Sequence, residues 1–396
     1  MDFELSEEQR LIQQTAREFG EREIKPRVKE LREEKEFPWD LYRRTGDLGF
    51  IGICWPTEYG GQGLKWLDAM IVLRELVRAD PEIGITLGSG YFGSDMIVEL
   101  GTDEQRSKWL PRLAKGEITS AGCFTEPAGG SDISRALDTK AEKRDGIWIL
   151  NGEKQFITNG TTASVLVTLA QTDPNASPPY RGQTEFVVER TEAIEANKYE
   201  DKMGWYLSPT CSVRYNDVEL SEEDILGGVK NLNKGFYIAM SFLNMTRTAI
   251  AWQALGTAEA ALENAISYCQ EREAFGRKIG GFQGLAFRIV DIATQVEMLQ
   301  DICFRAAWLV DKAKTDRAYR DESVKVASMA KWYGSKVASE AWDLAIDAHA
   351  GYGYVESDVE KLYRFAKSLE IVEGTKEIQK NAIAGIILGR EITKGF

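Results

Sequence analysis

Cys123-Phe124-Thr125-Glu126-Pro127-Ala128-Gly129-Gly130-Ser131-Asp132 divides this chain. Before it the apolar residues recur at helical spacing; after it short β-rich runs alternate with turn residues. The stretch itself offers hydroxyls at Thr125 and Ser131, separated by glycines that let backbone approach a ligand closely. Backbone N–H groups in such a loop can donate to a flat, acceptor-rich ring or to a phosphate. By composition alone it reads as a turn leading into the β segment.

Upstream, residues 1–120 read mainly as helix. Ser6 is an N-cap, and Gln9 three residues on completes a capping box. Leu11, Ile12, Thr15, Phe19 and Ile24 follow at near-helical spacing, and residues 66–77 form another amphipathic segment. Gly60-Gly61 lacks a following Gly-Lys-Ser/Thr and reads as a plain turn rather than a phosphate cradle. Downstream, residues 147–150 run into Asn151-Gly152, a hairpin signal. Residues 164–170, 184–189 and 211–215 are further short strands, and 173–179 an exposed loop. From residue 236 the pattern is helical again: 236–271 has no proline and many alanines, and 283–313, 321–349 and 378–388 continue it. The expected fold is multidomain α+β. Residues 1–120 form an N-terminal α-helical domain. Residues 121–235 form a middle antiparallel β domain, barrel-like or a sandwich. Residues 236–396 form a C-terminal four-helix bundle.

Bulk properties narrow the function. The 396 residues suffice for two or three cores, and 43% hydrophobic with 28% charged residues is a globular composition. A net charge of −13 argues against an extended nucleic-acid or anionic-membrane surface. The five cysteines are scattered without a CxxC pair, as free thiols in a reducing cytosol would be. The single histidine, His349, excludes a His-rich metal site, argues against a Ser/His/Asp triad and reads as a packed structural residue. The N-terminus is acidic and amphipathic, unlike a secretory or transit peptide, and no apolar run reaches the ~18 residues of a membrane helix. These readings place the protein in the cytoplasm.

Two further stretches carry chemistry. Ile371-Val372-Glu373-Gly374-Thr375 sets a carboxylate beside a glycine; alone it reads as surface. In Phe156-Ile157-Thr158 an aromatic and a hydroxyl two residues apart share one side of a strand. They could face a ring system, or equally be core and edge.

In combination these segments resemble the acyl-CoA dehydrogenase family over essentially the whole chain. The 125–132 stretch resembles its TEPxxGSD signature, and Phe156-Ile157-Thr158 its WIT segment with Phe for Trp. Arg272 to Gly276 with Phe282-Gln283 resembles RxxFG…Q. Residues 371–375 with Ile378-Gln379 resemble the IYEGTxxIQ segment that carries the base. The resemblance implies FAD, lined by Phe124, Thr125, Gly130, Ser131, Phe156 and Thr158. Arg272, Phe275 and Gln283 would reach the FAD of a neighbouring subunit in a homotetramer. Thr375 and Glu377 would lie near its phosphates or adenine end, with Asp347 and Gly351 as further cofactor contacts. It implies α,β-desaturation of an acyl-CoA, the Cα proton passing to Glu373 and a Cβ hydride to flavin N5. Asn244 and Arg247 would meet the CoA portion, and Ser131 and Gly374 also face substrate. Electrons would leave to an electron-transfer flavoprotein.

Some relatives place the base beside the residue matching Arg247; here that residue is Thr246, which cannot serve. Val372 replaces the Tyr usual beside the base and reshapes the acyl pocket. Small and aromatic residues over 84–92 suit a branched, cyclic or aromatic acyl group as well as a straight chain. The absence of Arg between Asp80 and Leu100 counts against a dicarboxylic one. Tyr91 and Asp95 are candidate pocket groups. Asp95 reads as a second proton acceptor or, more simply, as a solvated or helix-capping carboxylate. An acyl-CoA oxidase is the same-class alternative, although oxidases are usually longer. The negative charge and the short tail at 391–396 argue against a nucleic-acid-binding relative.

Overall fold

The computed structural model describes residues 4–135 and 137–393; the last three positions of the 391–396 tail lie outside them. The N-terminal helices are α1 (Glu7–Phe19), α2 (Val28–Glu34), α3 (Trp39–Asp47), α4 (Trp66–Ala79), α5 (Pro81–Gly88), α6 (Ser94–Leu100) and α7 (Asp103–Ala114). Ser6 caps α1, its hydroxyl accepting from Gln9 N–H while the Gln9 side chain returns to the Ser6 N–H, as the capping-box reading expects.

A seven-stranded sheet follows: β1 (Thr119–Cys123), β2 (Lys140–Arg144), β3 (Ile147–Ile157), β4 (Ala163–Gln171), β5 (Gln183–Glu189), β6 (Ile194–Lys198) and β7 (Cys211–Leu220). Most pairs are antiparallel, as expected, but β1 runs parallel to β4, and Lys140 of β2 bridges Gln171 in the same sense. The reason is connectivity: β1 enters from the helices and meets β4 only after the β2–β3 hairpin, so the two share a direction. Asn151-Gly152 is not the hairpin turn. Asp145 (φ 49°) and Gly146 (φ 93°) make that turn, and β3 runs straight through Asn151. Instead the β3–β7 register shifts between Leu150 and Gly152. Gly152 is required there, since a Cβ would lie 2.5 Å from the Cα of Thr139.

The C-terminal region holds α8 (Gly235–Glu271), a small hairpin of β8 (Glu273–Ala274) and β9 (Arg277–Lys278), α9 (Gln283–Thr315), α10 (Arg320–His349), α11 (Gly351–Tyr354), α12 (Asp358–Ala366) and α13 (Lys376–Ile387). Helices α8, α9, α10 and α13 pack as the expected bundle around Trp252, Leu299, Ala307, Ala338 and Trp342. The Trp252 indole N–H donates to the Cys303 carbonyl at 3.1 Å, so this large ring is buried without an orphaned donor. Helix α8 also crosses α4 closely: a Cβ on Gly256 would sit 2.9 Å from the Arg74 carbonyl oxygen. The Arg74 guanidinium bonds Glu259 at 2.9 Å across the same crossing. One apolar core runs through both helical layers and one face of the sheet, while Trp148, Phe186 and Tyr215 centre a second inside the β region. Helix α8 therefore touches every layer, and residues on it are positioned by all three.

Candidate active site

Glu373 lies in the turn between α12 and α13 with φ 55°, followed by Gly374 at φ 89°. Two successive left-handed residues are costly for any side chain but glycine at the second position. The turn survives because its carbonyls are held from outside it. Buried Gln379 of α13 donates to the carbonyl oxygens of Glu373 at 3.0 Å and Gly374 at 2.9 Å. The Lys331 ammonium of α10, fully buried, donates to Gly374 O at 2.8 Å. The Thr375 hydroxyl caps α13 by accepting from Ile378 N–H.

The result aims the Glu373 carboxylate at α8. Thr246 Oγ1 donates to Oε2 at 2.6 Å. Burial pushes the Glu373 carboxyl above its ordinary range, against the opposing pull of the Thr246 hydroxyl, Arg247 and Lys331. Arg247 is itself buried; its Nη1 donates to Asn244 Oδ1 at 2.6 Å, while its Nε has no partner. An orphaned guanidinium N–H in this position is unfavourable until a ligand acceptor arrives.

The 123–132 loop joins this site through aromatic contact. The Phe124 ring lies 5.9 Å from that of Phe242, which stands one helical turn before Thr246 and also 5.4 Å from Phe92. The loop is anchored from below by a buried ion pair. Lys154 Nζ bonds Glu126 Oε1 at 2.7 Å and the Phe124 carbonyl at 3.1 Å. Glu126 also accepts from the N–H groups of Asp138 and Thr139. Burial opposes the Glu126 charge, but Lys154 and these two amides hold its carboxyl below the ordinary range. Above this anchor Thr125 is half-buried and Gly130 and Ser131 are exposed. The N–H groups of Gly130 and Ser131 have no partner among the described residues. A Cβ on Gly130 would meet nothing nearer than Thr125 Cγ2 at 3.7 Å, leaving an open cradle of donors. This donor set fits the acceptor-rich ring and phosphates of FAD.

Phe156 departs from its expected place. It takes φ 58° at a register shift near the end of β3, so it does not share a strand face with Thr158. Its ring is exposed and lies 5.4 Å from Tyr199, while Thr158 is half-buried.

The remaining cofactor candidates lie on the surface. Arg272 follows α8 about 38 Å along the helix axis from Thr246. Phe275 tips the β8–β9 hairpin with 95% exposure, and Gln283 opens α9 on the surface. Asp347 pairs with Arg288, Gly351 starts α11, and Glu377 is exposed in the first turn of α13. His349 is packed as expected, stacked 3.8 Å from Tyr268 with Nδ1 2.9 Å from the Ala345 carbonyl.

Asp95 is neither solvated nor placed at Glu373. It is buried and accepts from the Trp55 indole N–H at 2.9 Å; burial lifts its carboxyl to about 6. It lines a cavity of about 280 Å³ between α6, α8 and the α9–α10 turn, whose wall includes Phe242 but not Glu373 or Val372. The sequence reading missed Lys331, Gln379 and Lys154. The available signal for the first was its place on a helix face shared with Ala327, Ala330, Gly334 and Ala338, where a charge is out of pattern.

The Glu373 turn, held by α8, α10 and α13, and the donor-lined 125–132 loop together fit the site of a flavin-dependent oxidoreductase. The chain matches the N-terminal, middle and C-terminal domains of acyl-CoA dehydrogenase over residues 6–117, 121–218 and 233–388, and it belongs to that family. It is 37% identical over 388 residues to an acyl-CoA dehydrogenase of Bacillus subtilis, covering 97% of this chain and 99% of the relative. It is 35% identical to a caffeyl-CoA reductase–Etf complex subunit of Acetobacterium woodii, covering 97% and 99%. The solved butyryl-CoA dehydrogenase of Megasphaera elsdenii superimposes with a TM-score of 0.90 at 34% identity, covering 98% and 100%. The protein is thus an FAD-dependent oxidoreductase acting on the CH–CH group of acyl-CoA. No helix among the described residues is long and apolar enough to cross a membrane.

Proposed function

We propose that Glu373 takes the Cα proton of an acyl-CoA thioester during α,β-desaturation. The observation that carries this is the half-buried carboxylate, of raised proton affinity, aimed at α8 between Thr246 and the unsatisfied Arg247. A thioester α-proton is too weakly acidic for an unaided carboxylate, so the developing oxyanion needs donors. The Glu373 N–H makes no hydrogen bond among the described residues and is left for the thioester carbonyl. Arg247 and Asn244 hold the CoA portion, with Ser131 and Gly374 bordering the substrate. FAD, held by Phe124, Thr125, Gly130, Ser131, Phe156 and Thr158, supplies when bound the acceptor for the hydride leaving Cβ.

The remaining assignments follow the same reading. Arg272, Phe275, Gln283, Asp347, Gly351, Thr375 and Glu377 complete cofactor binding, the first three across subunits of a homotetramer. The exposed Phe275 hairpin supports this, because a subunit contact there would remove its ring from water. The electron partner is an electron-transfer flavoprotein, and the five free cysteines suit a cytoplasmic location. The acyl group is branched, cyclic or aromatic. Val372 beside the base, the Phe92–Phe242–Phe124 cluster and the caffeyl-CoA reductase relative support an aromatic one most directly.

An acyl-CoA panel with an artificial electron acceptor tests this, comparing butyryl-, cyclohexanecarbonyl- and 3-phenylpropionyl-CoA. The expected result is flavin bleaching with the cyclic or aryl thioester preferred. If none of them bleaches the flavin, the desaturation reading fails.

A further inference from the structure

We propose that Lys331 is a positioning residue for the reaction, fixing the place and the proton affinity of Glu373 through the Gly374 carbonyl. This rests on Glu373 being the base. The side chain is fully buried on α10, and its ammonium bonds Gly374 O at 2.8 Å, one peptide from the carboxylate-bearing residue. Burying an ammonium costs several kcal/mol unless charge is returned to it. A neutral donor would cap that carbonyl without the penalty, so the charge itself requires a reason.

The charges facing Lys331 come from four elements: Glu373 on the turn, Arg247 on α8, Glu370 before the turn and Glu377 on α13. Arg247 repels it. Glu370 is already paired with Lys367 and Lys376, and Glu377 is exposed. Glu373 exerts the largest attraction of the set, and Lys331 in turn favours the ionised form of Glu373. Burial brings the ammonium down to about 8, so near neutral pH it is charged and poised. Gln379 bonds the same carbonyl and that of Glu373, so the turn is gripped by one charged and one neutral donor. The neutral donor holds the shape. The charged one links that shape to the ionisation of the base.

The test is the pH dependence of anaerobic flavin reduction by a reactive acyl-CoA, from about pH 6 to about pH 9.5, in FAD-loaded wild type, Lys331→Met and Lys331→Gln. Both variants are expected to move the acidic limb, set by Glu373, to higher pH by on the order of one unit. Lys331→Met loses about tenfold in limiting rate beyond that shift, and Lys331→Gln, which keeps a donor, recovers part of it. FAD content and the binding of a non-reducing CoA thioester stay within about threefold of wild type in both. A folded, FAD-bearing variant whose limb does not move overturns the inference, because a helix-capping lysine would leave that limb in place. Wild type provides a second measurement should the variants fail to fold. Its rate falls through a further inflection near pH 8, and a profile flat above the first ionisation overturns the inference. Wild type that no acyl-CoA reduces sinks the desaturation reading and this inference together; active wild type with an unmoved limb in the variants sinks this inference alone.

Discussion

Thr246 Oγ1 and Glu373 Oε2 are 2.6 Å apart, although 127 positions separate the residues in sequence. A hydroxyl that donates to a carboxylate favours its ionised form and so restrains the rise in proton affinity that burial causes. Thr246→Val removes the donor at nearly the same shape. The acidic limb of flavin reduction then moves to higher pH, with the rate falling most on the acid side and converging on wild type in alkali. Stopped-flow reduction across a pH series checks this; an unmoved limb would mean that the hydroxyl turns away when substrate binds.

Glu373→Gln keeps the turn, because the Gln379 and Lys331 contacts are to backbone carbonyls. FAD and acyl-CoA binding are retained, and the rate of flavin reduction falls by about 10²- to 10⁴-fold, the range for loss of a general base. Titration calorimetry and single-turnover absorbance separate the two quantities. Near-normal reduction would assign the proton to another group.

Glu126→Gln weakens the anchor below the cofactor loop. It leaves Lys154 buried without its counter-charge, a change that costs about 3–5 kcal/mol in comparable buried pairs. The expected outcome is loss of FAD on gel filtration together with a lower urea midpoint. Retention of cofactor at wild-type stability would show that the 125–132 loop does not depend on this pair.

Glu185 of β5 is fully buried with neither carboxylate oxygen bonded, and burial lifts it from 4.5 to about 8. The folded value exceeds the unfolded one, so its stabilising effect is fully present below about pH 4.5 and disappears as pH rises through about 8. Unfolding free energies should therefore fall between these limits in wild type. Glu185→Gln should flatten that slope and be the more stable protein at pH 9. Parallel slopes for the two proteins would refute it.

The long elements were legible because their signals are cumulative. Helix α8 runs 37 residues without a proline, and the capping box at Ser6 is a local device with no competitor. The hairpin was not legible from Asn151-Gly152, because the same dipeptide serves a different need. The Asn151 side chain bonds both the backbone and the carboxylate of Asp217 across β7, and Gly152 makes room for Thr139. The weaker-looking Asp145-Gly146 takes the turn. Motif resemblance singled out the Glu373 segment, but not what supports it. Lys331 and Lys154 act from inside a helix and a strand, on backbone atoms that belong to other segments. Only the packing brings those atoms within reach.

Glu373 also sets a clock. The donors of the 125–132 loop leave the ribosome first, then α8 with Thr246 and Arg247, and after them the proposed base. At ordinary rates of synthesis the interval between loop and base is roughly 10 to 50 s. During it the nascent chain holds the cradle residues but not yet Glu373. On the proposed reading, the competence to desaturate therefore arrives only after the loop and α8 have been made.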